Sequence, residues 1–180
     1  MSIARLKRLV PPPAQPVGVG SLDEWWLVEQ RLGVALPTDY RDFIFAYGTG
    51  LFARFFRVYS PFAAGSMSLY SSVQDTCEWR RNTKREFPDR VPYPIYPESP
   101  GILPWGNDEN GHDYYWFMEG GPDDWIVLAD DVRGRGFSEH RCSMTEYLAD
   151  VILGRVEPLA GDRFTEDDWT FTPFADEARV

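Results

Sequence analysis

The sequence predicts an α+β domain built around an antiparallel sheet. Two patterns lead there. Segments with apolar residues at spacings of three and four open on helix-capping residues, and between them short aromatic runs are separated by tight-turn residues. Size agrees: a chain of 180 residues supports one core, hiding roughly 70% of the surface its unfolded form exposes. With 43% hydrophobic and 16% aromatic residues, the composition is that of a folded globule rather than a disordered chain.

Residues 1–20 carry Arg5, Lys7 and Arg8, no acid, and the run Pro11-Pro12-Pro13. Proline stiffens such a stretch towards polyproline II, so it reads as a lead-in outside the core, with Pro13-x-x-Pro16 as plain linker. Ser21-x-x-Glu24 is a capping box that starts a helix with Leu22, Trp25, Val28 and Leu32 on its apolar face, ended by Gly33. A second helix follows Leu36-Pro37, with proline at its first position and Tyr40, Phe43, Ile44 and Tyr47 as its stripe; Gly48 closes it. Leu51 to Tyr59 reads as one strand. Ser71-x-x-Gln74 opens a third helix towards Phe87, with Arg80, Arg81, Lys84 and Arg85 on solvated positions, and Pro88 ends it.

Six prolines between residues 88 and 104 make that stretch an extended connection. Strands are expected over Ile102–Trp105, Asp113–Met118 and Trp125–Ala129, joined by turns at Asn110-Gly111 and Gly120-Gly121-Pro122. Ser143-x-x-Glu146 caps a last helix with Tyr147, Leu148, Val151 and Ile152 as its apolar face and Gly154 as its stop. The tail to Val180 is acidic and aromatic; Phe164, Trp169, Phe171 and Phe174 are its means of anchoring to the body.

The formal net charge is -10. That balance disfavours DNA and anionic membranes as partners and favours a basic protein or a cationic ligand. Cys77 and Cys142 are the only cysteines, far apart and in no Cys-x-x-Cys pair, so neither a disulfide framework nor a thiolate zinc site is expected. The basic start lacks a signal-peptide core and no run of about 18 apolar residues occurs, so the chain reads as cytoplasmic.

Catalytic patterns fail in turn. Gly18-x-Gly20 opens a helix, but a proline-rich segment precedes it and Asp23 occupies the third glycine position of a dinucleotide loop. His112 and His140 have no ligand spacing beyond His140-x-Cys142, so no metal, cofactor or catalytic residue is nominated. Asp108-x-Asn110-Gly111-x-Asp113 has its glycine misplaced for a calcium loop and is read as a hairpin turn. Acids beside tryptophans also occur in sugar-cleaving sites, but only the residue types match. One feature survives. Between Trp105 and Asp131 stand eight acids (Asp108, Glu109, Asp113, Glu119, Asp123, Asp124, Asp130, Asp131) and no lysine or arginine. On neighbouring hairpin turns they would form a negative patch that speeds encounter with a basic partner; the plainer alternative is a set of solvated loops.

Two blocks resemble the SUKH superfamily. The first is Leu32-Gly33-Val34-Ala35-Leu36-Pro37-Thr38-Asp39-Tyr40-Arg41-Asp42-Phe43, preceded by Glu29 and closed by Tyr47-Gly48-Thr49-Gly50. The second is Ile102-Leu103-Pro104-Trp105-Gly106-Asn107-Asp108, then Gly111 and Tyr114-Tyr115-Trp116, with Val127, Asp130 and Met144 to Leu153 following in order. The match covers about residues 21–155, leaving the lead-in (1–20) and the tail (156–180) outside it. The resemblance implies an α+β fold with an antiparallel sheet flanked by helices, and a non-enzymatic role. For bacterial members that role is immunity, the binding of a cognate toxin, often a nuclease; for fungal Smi/Knr relatives it is regulatory protein interaction. A basic nuclease cleft would then meet Asp108, Glu109, Asp113, Asp123 and Asp124 as phosphate mimics, with Trp105, Trp116 or Trp125 as apolar anchors. A regulatory module, and further off a carbohydrate-active enzyme, are the competing expectations.

Overall fold

The computed structural model describes residues 3–133, 136–157, 159 and 164–174. Its centre is an antiparallel sheet of β1 (Gly50–Phe52), β2 (Phe56–Val58), β3 (Ile102–Asp108), β4 (Asp113–Phe117), β5 (Ile126–Asp131), β6 (Gly136–His140) and β7 (Phe171–Pro173). The order is β6-β5-β4-β3-β2-β1-β7. Strands next in sequence pair throughout the meander, and β7 returns to add to the free edge of β1, as short connections favour.

Side chains alternate across a strand, and β4 shows which layer each face meets. Tyr115 lies beside Arg80 of α4 (Leu69–Glu86), and Phe117 packs on Tyr93 of the proline-rich connection, 5.4 Å between ring centres. On the opposite face Trp116 meets Tyr40 of α3 (Thr38–Tyr47) edge-on at 5.0 Å, and Tyr114 meets Tyr147 of α5 (Met144–Ile152) at 5.7 Å. The sheet is therefore covered by helices on both faces. Outside that second layer, α1 (Ala4–Leu9) packs on α5, and α2 (Leu22–Leu32) packs on α3 through Trp25 and Tyr40. A register shift between Pro104 and Gly106 inserts Trp105 as an extra residue in β3, a suitable place for a proline that lacks a ladder N–H.

The capping boxes read from Ser21 and Ser143 form. Ser21 N donates to Glu24 Oε2 at 2.7 Å, and Glu24 N donates to Ser21 Oγ at 3.3 Å. Gly33 closes α2 in the left-handed region at φ 69°, and the stripe Tyr40, Phe43, Ile44 and Tyr47 is fully buried.

Other expectations are corrected. Leu22 is 79% exposed while Trp25, Val28 and Leu32 are buried. At 100° per residue, Leu22 lies about 90° from the centre of that buried stripe. Pro37 sits one position before α3 rather than inside it. The third helix begins at Leu69, with Ser68 as its N-cap, so Ser71 lies within its first turn. Leu51–Tyr59 is not one strand but the hairpin β1–β2, reversed at Ala53 and Arg54 with φ 52° and 53°. Neither residue advertises such a turn, which normally selects glycine or asparagine. Arg80 is not solvated but only 3% exposed.

The first twenty residues do not lie wholly outside the core. Ile3, Leu6 and Val10 are buried in it, Arg5 pairs with Asp150 of α5 at 2.7 Å, and Tyr47 Oη donates to the Val10 carbonyl at 2.6 Å. Tail aromatics anchor as expected: Phe164 stacks on Phe56 at 5.7 Å, and Phe171, in β7, lies 5.2 Å from Tyr47. The last tail residues fall outside the described range. Among the described residues no helix is long and apolar enough to cross a membrane.

Candidate functional site

The eight acids do not share one face. Asp108 is buried: its Oδ1 accepts from the backbone N–H groups of Asn110 and His112, each at 2.9 Å, and its Oδ2 from Tyr114 Oη at 2.8 Å. It therefore shapes the β3–β4 turn, whose one positive φ is at Gly111, not Asn110. Asp113 and Asp130 point into the α4 layer and share Arg80. The guanidinium Nη2 contacts both carboxylates, at 3.3 Å for Asp113, while Arg80 Nε donates to Tyr115 Oη at 2.7 Å. Trp79 covers the guanidinium with its ring centre 4.2 Å away. Burial pushes the Asp113 carboxyl above its ordinary value, and Arg80 and Tyr115 only partly pull it back.

Asp131 is buried too; it accepts from Arg133 N at 2.9 Å and lies 3.6 Å from His112 Nδ1. Glu109 pairs with Arg57 of β2. Only Glu109, Glu119, Asp123 and Asp124 are exposed among the eight.

The three tryptophans are core residues. Trp105 stacks on Tyr114 at 5.2 Å, Trp116 abuts Tyr40, and Trp125 lies 6.1 Å from Trp116; all three are buried. A partner could reach Trp105 or Trp116 only by opening the fold, so the expectation that they anchor an interface is withdrawn. The two thiols are inert near neutrality, because burial pushes Cys77 up to about 11 and Cys142 up to about 12.

An accessible apolar surface lies instead between α2 and α3. Adjacent residues on a helix point about 100° apart, so Trp25 and Trp26 cannot both enter the core. Trp25 does, donating its Nε1 to the Val19 carbonyl at 3.1 Å and packing on Tyr40 and Phe62. Trp26 is left 61% exposed, with Leu22 one turn before it. Phe45 of α3 faces them, partly exposed and 5.7 Å from Trp25. Together with Thr38, Arg41 and Asp42 these residues line an open groove of ≈ 420 Å³.

The polar parts of this groove are fixed. Glu29 Oε1 accepts from Leu36 N at 3.0 Å and lies 3.6 Å from Arg41 Nη1, holding the bend between the helices. Asp123 reaches across from the turn before β5: its Oδ1 accepts from Thr38 N at 2.6 Å and its Oδ2 from Thr38 Oγ1 at 2.9 Å. It thereby supplies the N-terminal cap that Pro37 cannot give α3. Asp124, on the same turn, accepts from Gly121 N at 3.1 Å. So Asp123 and Asp124 are brought to the end of the groove, whereas Asp108, Asp113 and Glu109 lie elsewhere. Trp26 and Phe45 were missed by sequence reasoning; the Trp25-Trp26 pair was the signal that one large apolar side chain must face outward.

The fold and this surface define a single-domain α+β protein with a preformed apolar groove on a helix pair. Comparison of the chain with protein-family models, with curated proteins and with solved structures finds no match.

Proposed function

We propose that this chain is a non-enzymatic, cytoplasmic immunity protein that binds and neutralises a cognate toxin domain through the α2–α3 groove. The carrying observation is the groove itself: Leu22, Trp26 and Phe45 expose apolar area along one groove of the α2–α3 helix pair. Full burial of a tryptophan removes about 150–250 Å² from water, of which Trp26 has 61% left to cover, and such side chains dominate interface energetics. Two exposed acids stand at it, Asp42 in its lining and Asp123 on Thr38, in a protein of net charge -10. A partner with an apolar knob inside a basic rim, such as a nucleic-acid-binding toxin, fits that distribution. The resemblance to the SUKH superfamily supports the same reading, because its first block forms the α2–α3 bend: Gly33 turns the chain, Leu36 is buried, and Tyr40 Oη donates to the Tyr59 carbonyl at 2.6 Å.

The test is rescue of a bacterial host that expresses, one at a time, the products of the genes neighbouring this one, to find any that is lethal alone. Survival should require this protein and should fall when Trp26→Ala and Phe45→Ala are combined, with the variant still folded. A demonstrably lethal neighbour that the folded wild-type protein fails to counter would overturn immunity and favour the regulatory-module reading.

A further inference from the structure

A second open cavity, of ≈ 410 Å³, lies on the opposite face of the sheet from the α2–α3 groove, among the C-terminal half of α4, the proline-rich connection and strands β5 and β6. That volume is within the range of small-molecule sites. Its floor is charged and buried: Arg80, Asp130 and Asp131 line it and are only 3%, 3% and 6% exposed. Arg80 is fixed by Tyr115, Asp113 and Asp130 through Nε and Nη2 only, so Nη1 is the donor left to the cavity. One wall is Trp79, which covers the guanidinium and is still 47% exposed; another is Tyr93 and Phe137, packed on each other at 5.2 Å. At the rim stand Asp89 and Arg90, both exposed.

Hydrogen-bonding groups of both charges are thus arranged around one exposed aromatic ring. A cation entering the cavity meets Arg80 and Arg90, and a phosphate or carboxylate meets Asp89, Asp130 and Asp131. The arrangement selects a neutral ligand. That ligand needs an apolar face for Trp79 and an edge whose groups both donate and accept. A pyranose ring has both: its axial C–H bonds carry slight positive charge and suit the negative face of an indole, while each hydroxyl donates one hydrogen bond and accepts others. We propose that this cavity is a binding site for a neutral sugar ring, stacked on Trp79, with hydroxyls donating to Asp89 and accepting from Arg80 Nη1 and Arg90. The buried contacts of Arg80 fix the floor of the site before a ligand arrives, which lowers the ordering cost of binding.

The experiment is titration of the full chain with the methyl glycosides of glucose, galactose, mannose and N-acetylglucosamine in turn, read by NMR shifts of the Trp79 indole and the Arg80 side chain. Adenosine and uridine serve as planar neutral controls. Saturable shifts with at least one glycoside are expected, confined to the second half of α4 and to β5 and β6. Trp79→Ala and, separately, Asp89→Asn should each weaken binding about tenfold or more, as loss of the stacking surface or of one charge-assisted hydrogen bond implies. Trp26→Ala, in the groove, should leave the titration unchanged. Asp89 is exposed, so Asp89→Asn should keep the wild-type spectrum elsewhere and decides the matter if Trp79→Ala loosens the Arg80 cluster. No saturation by any of the four glycosides, affinity indifferent to Asp89→Asn, or tighter binding of adenosine or uridine would overturn the assignment.

Discussion

At one end of the sheet Asp113 and Asp130 lie against Arg80 beneath Trp79; at the α2–α3 groove Asp42 and Asp123 lie in solvent near Trp26 and Phe45. The two regions use the same residue types, acids beside tryptophans, to opposite ends. In the first, a cation from another element neutralises the carboxylates and the group becomes interior. In the second, no apolar layer among the described residues covers Trp26 and Phe45, so their area is available to a partner. Acidic density along a sequence thus says little about surface charge until the partner of each acid is known.

The sharpest way to break this comparison is to remove the shared cation. Arg80→Met leaves two inward carboxylates without compensation and should cost about 3–5 kcal/mol in urea unfolding at neutral pH. That deficit should shrink as pH falls. The folded-state carboxyl of Asp113 is already raised above its ordinary 3.8 by burial, so its favourable contribution is complete below that value and lost as pH rises through the higher folded one. Without Arg80 the folded value rises further, so the variant recovers stability as pH falls from neutrality towards the ordinary carboxyl value. A deficit independent of pH would mean that the carboxylates are not the groups left uncompensated.

Next in size is a contrast between tryptophans. Trp116→Ala should cost about 3–5 kcal/mol by opening a cavity against Tyr40, whereas Trp26→Ala should stay within about 0.5 kcal/mol. Thermal melting of both decides it; equal losses would show that Trp26 belongs to the core. Asp123→Ala removes the cap on α3 and should cost about 1 kcal/mol, seen as faster amide exchange at the start of that helix. The smallest effect is expected from Glu109→Gln, whose partly exposed pair with Arg57 should contribute less than about 1 kcal/mol.

Local rules made much of the fold legible. Capping boxes at Ser21 and Ser143 fixed two helix starts, and the stripe from Tyr40 to Tyr47 identified a helix buried on one face. What stayed hidden depends on distant partners. The buried place of Arg80 follows from carboxylates on β4 and β5, more than thirty residues away. Asp123 caps a helix 85 residues earlier, and no short-range pattern encodes that bond. The reversal at Ala53-Arg54 lacks turn chemistry of its own and is held by pairing with β7 and by the bond from Ala53 N to the Thr170 carbonyl at 2.8 Å. At the candidate site the acids Asp123 and Asp124 were visible, but the apolar half was not, because Leu22 was assigned to the core and Trp26 was not singled out.

The most direct measurement is the affinity of the toxin domain identified by rescue, for wild type, for Trp26→Ala, and for Glu109→Gln combined with Glu119→Gln. A groove-centred interface predicts that Trp26→Ala weakens Kd by about 30-fold or more at unchanged melting temperature, while the two-acid variant changes it less than about threefold. Wild-type affinity for Trp26→Ala, with loss in the two-acid variant, would contradict the groove and return the interface to the acidic hairpin turns.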